Sequence, residues 1–415
     1  MRSIRNATSR KTTTGLARMA LGLLCASPAT AYADDLGSFY AVPAREVPGA
    51  AGTLIRTEPV PAPPGAAAAY RIIYRSRDRD DRDIAVSGLA VLPPAIDGAT
   101  QRPVVSWGHG TTGIASGCAP SRLPARAFDG IDGLHALLAK GYVVVATDYQ
   151  GLGEPGQHPY LVGASEAHAM IDAVRAVRAL PGAHAGARYA TWGFSQGGHA
   201  ALFTGSVARR YAPDLQLVGV AAASAPTELR PLLHDDIHSI TGKVVATYAA
   251  LSWSRTYDLP LDEIVRKQAV PNAERIASTC SFDLGDDLAL GLDASGYQTT
   301  GLLRHHADRR PDWDRLIARN SVPVPGRVPV FLAQGVMDQI VEPRPTRDYV
   351  GKLCRDGVKV DYVEEPWASH GATARTSARS AVAWLAARFS GQNPTSTCAN
   401  TLADASPEPA LSTDR

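Results

Sequence analysis

The stretch "RYATWGFSQGGHAALFTGSVARRYA", residues 188–212, decides how the chain is read. Its first part is a short run of strand-formers. Its second part carries Ala, Leu, Phe and Val at helical spacing. Between them lies Gly193-Phe194-Ser195-Gln196-Gly197, a serine flanked by glycines at a strand-to-helix turn. Such a turn exposes a serine hydroxyl beside the positive end of a helix. Gly193 and Gly197 would let strand and helix approach while Ser195 takes a strained backbone. The alternative is a serine N-cap among close-packing glycines. The strand before and the helix after favour a nucleophile.

The flanking sequence gives this turn a context. "PVVSWGHG", "GYVVVATDY", "LQLVGVAAAS", "VPVFLAQG" and "VKVDYVEE" are short, Val-rich runs without alternation. Such runs suit strands buried on both faces of a parallel sheet. "IDGLHALLAKG", "SEAHAMIDAVRAVRALPG" and "TSARSAVAWLAARFSG" read as helices between and after them. Alternating strands and helices predict an α/β fold with right-handed crossovers. "YRIIYRSRD" and "IAVSGLAVLPP" flank the charged turn "DRDDRD", which predicts a hairpin at the sheet edge, and "PVPAPPGAAAAY" (59–70) reads as a connector. Residues 226–322 lack a convincing strand and read as a helical insertion, a cap or lid over the sheet.

The N-terminus reads as an export signal. Arg2, Arg5, Arg10, Lys11 and Arg18 precede a short apolar run and then Ala31-Tyr32-Ala33. The run is too short to span a bilayer, and cleavage is expected near Ala33. Losing these five basic residues takes the formal charge from +2 to −3. No basic patch then argues for nucleic acid, and no later segment is apolar enough for a transmembrane anchor. The product is expected to be secreted, extracellular or periplasmic. The expected organisation is signal 1–33, core 34–225, helical cap 226–322, core 323–392 and tail 393–415, stapled at Cys398. Of five cysteines, Cys118, Cys280, Cys354 and Cys398 outlast cleavage. An even count in an exported chain predicts two disulfides, with three possible pairings. The cysteine spacing does not resemble a metal site, and no metal or cofactor is expected.

A serine nucleophile needs a base, and the base needs an orienting acid. Asp338 follows the run "VPVFLAQG" in "GVMDQIVEP", and His370 follows the next strand in "EEPWASHGATA". The order Ser195, Asp338, His370 is the one an elbow on such a sheet requires. Glu342 is the nearest rival acid; Glu364 and Glu365 sit on or just past the following strand. His109, His135, His168 and His199 read as packing or hydrogen-bonding groups, and His305 and His306 fall in the insertion. "WGHGTTG" (107–113) follows the first buried strand. There the Thr111 N–H, with that of Gln196, is the candidate oxyanion hole, with His109 bracing the loop.

The motifs "WGHGTTG", "ATDYQGLG", "HPYLVGASEAHAMIDAVRA", "GFSQGGHAA", "GVMDQIVEP" and "SHG" come in an order that resembles the secretory lipase family. These are α/β-hydrolases of the Candida lipase A type and their bacterial relatives. The resemblance runs to about Ser390. It implies an α/β-hydrolase fold with a mostly parallel sheet, helices on both faces and a helical lid. It implies Ser195, Asp338 and His370 as a triad, a hydrophobic acyl tunnel, and hydrolysis of carboxylic, often acylglycerol, esters without a metal. It favours the pairings Cys118 with Cys280 and Cys354 with Cys398.

Three functions stand for comparison. The first is a secreted serine lipase or carboxylesterase working through an acyl-enzyme, on a lipid ester or at a lipid–water interface. The second is an acyltransferase, or an esterase for bulky aromatic or polymeric esters. The third is an inactive hydrolase fold used for binding, which has no need of all three residues. Acyl-chain preference and oligomeric state are not legible in the sequence.

Overall fold

The computed structural model describes residues 37–95, 101–234, 239–282, 284–297, 301–304 and 306–399. The sheet and its helices belong to the unit Phe39–Arg415. The expected signal peptide, His305 and the tail beyond residue 399 lie outside the described residues.

The strands are β1 (Leu54–Val60), β2 (Ala68–Arg77), β3 (Asp83–Leu92), β4 (Arg102–Gly108), β5 (Val143–Thr147), β6 (Ala185–Phe194), β7 (Gln216–Ala223), β8 (Val330–Gly335) and β9 (Val360–Glu365). They form one nine-stranded sheet in the order β1-β2-β3-β5-β4-β6-β7-β8-β9. From β5 to β9 every pairing is parallel, while β1, β2 and β3 join antiparallel. All five residues of β5 are buried, which is why the run is Val-rich without alternation.

Helices cover both faces. α1 (Pro124–Asp129), α2 (Leu134–Ala139), α3 (Gly163–Arg178) and α4 (Gln196–Tyr211) precede β7. α5 (Leu229–His234), α6 (Ile240–Tyr257), α7 (Val270–Ser278), α8 (Leu284–Ser295) and α9 (Pro311–Asn320) lie between β7 and β8. α10 (Pro343–Arg355) and α11 (His370–Phe389) complete the chain. One core packs Met170 and Val174 of α3 and Leu202 of α4 against Val104, Val143 and Val145. The other face packs Leu137 of α2 and Leu385 of α11 against Val105, Val144 and Trp192. A third core, with Leu229, Tyr248, Leu251, Ile276 and Trp313, lies among the helices between β7 and β8 and takes in Tyr160, Leu161 and Val162. Among the described residues that segment contains no strand, only an isolated bridge between Val265 and Leu303.

The structure corrects four local expectations. The hairpin is real, but it is not the edge: β1 lies outside it. The expected connector at 59–70 rested on its Pro/Ala-rich composition, but Pro59 and Val60 close β1 at the sheet edge, where a missing N–H is tolerated, and Ala68–Tyr70 open β2. α11 starts at His370, six residues before the quoted helical stretch. His135 is exposed rather than packed, since it falls on the outer side of a short helix.

Two disulfides fasten loops to this frame. Cys118 and Cys280 are bridged with Cα atoms 5.2 Å apart, linking the segment after β4 to the one after α7. Cys354 and Cys398 are bridged at 5.4 Å. Beside the second, the Thr397 N–H donates to the Val360 carbonyl at 2.8 Å, covering the free edge of β9.

Candidate active site

The carboxyl ends of β4, β6, β8 and β9 bring the candidate residues together. Ser195 joins β6 to α4 with φ 53° and ψ −119°, a backbone that side chains rarely adopt. Two contacts force it. A Cβ on Gly193 would overlap the Gly197 carbonyl, and a Cβ on Gly197 would overlap the carbonyl of Gly108 on β4. Strand, helix and neighbouring strand meet here at backbone distance.

The His370 Nε2 lies 2.9 Å from the Ser195 hydroxyl. Its Nδ1 lies 2.9 Å from Asp338 Oδ2 and 3.1 Å from Oδ1. A carboxylate can only accept, so Nδ1 carries the ring proton and the Nε2 lone pair faces the serine O–H. Asp338 Oδ1 also accepts the N–H groups of Ile340 at 3.0 Å and Val341 at 2.9 Å. The Gln334 amide donates to Oδ2 at 3.2 Å, and Thr346 holds that amide from behind at 2.8 Å. Burial pushes the Asp338 carboxyl up, but the His370 ring and the Val341 N–H outweigh it and hold it below its usual value. Asp338 therefore stays ionised beside the imidazole.

The rival acids are elsewhere. Glu342 is exposed at the start of α10, and Glu364 pairs with Arg347. Thr111 and Gln196 line the same cavity of about 510 Å³ as Ser195 and His370. Neither backbone N–H has an acceptor among the described residues. The Thr111 hydroxyl is held by Tyr160 at 2.8 Å. His109 is buried with its ring against that of Tyr149, centroids 4.5 Å apart and planes tilted by 36°, and its Nδ1 lies 2.6 Å from the Gly110 carbonyl. Among the described residues no group of three or more His, Cys, Asp or Glu is placed to hold a metal ion. No described helix is long and apolar enough to cross a membrane.

The family model described as "Secretory lipase" matches residues 131–397. The chain belongs to the secretory lipase family. Lipase A of Arthroderma benhamiae is 27% identical over 353 residues, covering 80% of this chain and 72% of that protein. Among solved structures, Candida antarctica lipase A superposes with a TM-score of 0.72 at 20% identity, over 88% of each chain. The rice cell wall degrading esterase LipA from Xanthomonas oryzae does so at 0.66 and 20%, over 83% of this chain and all of that one. The protein is an ester hydrolase of the lipase/esterase type.

Behind Ser195 this secretory lipase has a buried polar network that no sequence pattern announces. Glu166 on α3 accepts from the Gln196 amide at 2.9 Å and from the Leu161 N–H at 3.1 Å. It also bonds His199 Nδ1 at 2.7 Å, while the His199 Nε2–H donates to the Asn320 carbonyl at 2.7 Å. The Gln196 amide also donates to His158 Nε2 at 3.0 Å. His158 Nδ1–H therefore donates to the Gln150 carbonyl at 2.8 Å. Burial lowers the His158 pKa to about 4, so the ring is neutral near pH 7. A Glu inside "GASEAHAM" carries no sequence sign that it faces the helix after Ser195; only the packing of α3 on α4 brings it there. Phe194 escapes sequence reasoning for the same reason. Its ring stands 5.0 Å from that of His370.

Proposed function

We propose that this secretory lipase hydrolyses lipid-like carboxylic esters through Ser195, His370 and Asp338, by way of an acyl-enzyme. The observation that carries the reading is the hydrogen-bonded chain from Ser195 through His370 to Asp338, on a backbone held at φ 53°. His370 takes the serine proton as Oγ attacks the ester carbonyl. It returns that proton to the departing alkoxide, then activates water to release the acid. Asp338 holds the imidazole tautomer and stabilises its cation. The N–H groups of Thr111 and Gln196 receive the developing oxyanion, each worth about 3–4 kcal/mol in the transition state.

Residues 226–322 act as a cap in this reading. Leu232, Val244, Val245 and Leu290 line the cavity over Ser195 with apolar side chains, suited to an acyl chain. The mouth also suits a lipid–water interface. Ile240, Leu288 and Leu292 on the cap, and Val336, Met337 and Trp367 beside Asp338 and His370, are exposed apolar residues. The names of relatives and structural neighbours fit both lipase and esterase action, including a "Secreted triacylglycerol lipase" of Malassezia globosa. Export would follow from cleavage near Ala33.

Labelling with a fluorophosphonate probe tests the assignment. The native protein should label, and Ser195→Ala should not. Absence of labelling on the native protein would favour a binding-only fold. Transfer of the acyl group to added alcohol in preference to water would favour an acyltransferase.

A further inference from the structure

Thr111 and Tyr160 form an isolated pair of hydroxyls beside Ser195. The Thr111 Oγ1 and the Tyr160 Oη lie 2.8 Å apart, and neither oxygen has another hydrogen-bond partner among the described residues. Two hydroxyls carry two protons, and the bond between them uses one. The other proton has no acceptor in the protein.

Acidity and burial decide which hydroxyl keeps it. A phenol is the stronger donor and an alkanol oxygen the stronger acceptor, so Tyr160 donates to Thr111. Burial pushes the Tyr160 pKa up, so the phenol stays protonated and able to donate. Tyr160 is buried, whereas Thr111 is half-buried. The backbone of Tyr160 is fixed from the cap side. Its N–H donates to Ser252 Oγ at 2.8 Å, and its carbonyl accepts from the Trp253 indole at 2.8 Å. Its ring meets that of Tyr248 edge-on, with centroids 5.8 Å apart. All three partners belong to α6. The spare proton is therefore that of Thr111, on a hydroxyl held from behind.

That hydroxyl lies beside the reacting centre. Tyr160, to which it is bonded, lines the cavity over Ser195 together with Thr111 and Gln196. A methyl group on Gly110, the residue before Thr111, would come within 3.7 Å of the Ser195 Cβ, so this loop runs directly past the serine. A threonine hydroxyl is close to its own amide nitrogen, so both groups of one residue can donate to one oxygen.

We propose that the Thr111 hydroxyl is a third donor to the oxyanion, beside the N–H groups of Thr111 and Gln196, and that Tyr160 is its positioning residue. The inference rests on the serine-hydrolase reading above. As Ser195 Oγ bonds to the ester carbon, the carbonyl electron pair moves onto oxygen, and the Thr111 O–H donates to it without giving up its proton. A hydroxyl that accepts a hydrogen bond becomes a better donor itself, so the Tyr160 phenol strengthens the contact as charge develops.

The test measures kcat and KM on p-nitrophenyl butyrate. Thr111→Val keeps the side-chain shape and the backbone N–H, and should lower kcat at least about tenfold while KM changes less than about twofold. Thr111→Ser restores the hydroxyl and should keep kcat within about threefold of native. Tyr160→Phe leaves the Thr111 proton but not its orientation, and should lose less than Thr111→Val. Thr111→Val with Tyr160→Phe removes both hydroxyls and leaves neither unpaired. It should match Thr111→Val, and it carries the test if the single variant does not fold. The proposal is overturned if the valine or the double variant keeps kcat within about twofold of native, or if the serine variant is as slow as the valine one. A larger loss in Tyr160→Phe than in Thr111→Val would place the spare proton on the phenol and also overturn it. In each of these cases turnover by the native protein, and its loss in Ser195→Ala, leaves the serine-hydrolase reading standing. If Ser195→Ala keeps native turnover, that reading fails and takes this inference with it.

Discussion

Gly197 on α4 faces the carbonyl of Gly108 so closely that a methyl group there would overlap it. The same backbone stacks against Gly193 on the other side. The elbow is thus a three-way backbone contact, and Ser195 takes its strained conformation as the residue between the glycines. Gly197→Ala should destabilise the protein by about 1–3 kcal/mol, as overpacking does. It should also lower esterase turnover by displacing Ser195 from His370. Gly117, with nothing within 4 Å of where a methyl group would sit and no positive φ, is the control. Gly117→Ala should leave the melting temperature within a degree or so, about the effect of an inert surface change.

Glu166 should matter to the site without touching substrate. Glu166→Ala would leave His199, the Gln196 amide and the Leu161 N–H without their buried acceptor. A loss of about 3–5 kcal/mol in unfolding free energy is expected. Glu166→Gln keeps the shape and one acceptor oxygen, so it should lose less. Chemical denaturation of both variants measures this, and equal losses would contradict the network.

Trp367 is 88% exposed beside the loop that delivers His370. Trp367→Ser should lower activity on emulsified long-chain esters several-fold while activity on dissolved short-chain esters changes little. An equal fall on both substrates would mean that the residue shapes the site and does not dock it to lipid. Assays above and below the solubility limit of one ester separate the two cases.

Acid stability should carry the mark of His158. Its folded pKa is lowered to about 4 from 6.5. Below 6.5 the unfolded chain binds a proton that the native ring refuses, so stability falls as pH drops from 6.5 toward 4 and levels off below. His158→Gln removes this uptake of roughly one proton. Unfolding midpoints across that range should therefore fall less steeply in the variant than in the native protein.

The parts of the site readable in the sequence are those fixed by local chain geometry. Gly193-Phe194-Ser195-Gln196-Gly197 declares its own turn, because no other residue types fit at positions 193 and 197. Asp338 and His370 follow strands whose apolar runs mark where a sheet ends. β1 is hidden because an edge strand with Pro59 and an exposed side lacks the Val-rich signature of the centre. Gln334, Glu166 and His158 are hidden because Thr346 lies 12 residues from the first, and Gln196 lies 30 from the second and 38 from the third. No periodicity encodes which polar side chains of two packed elements will meet.

The central claim is that Ser195 carries the acyl group. Mass spectrometry of protein quenched during turnover of p-nitrophenyl butyrate measures this directly. A butyryl adduct on the peptide containing Ser195, absent from Ser195→Ala, is the predicted result. Steady turnover with no adduct there, or with the adduct on another side chain, would contradict the claim.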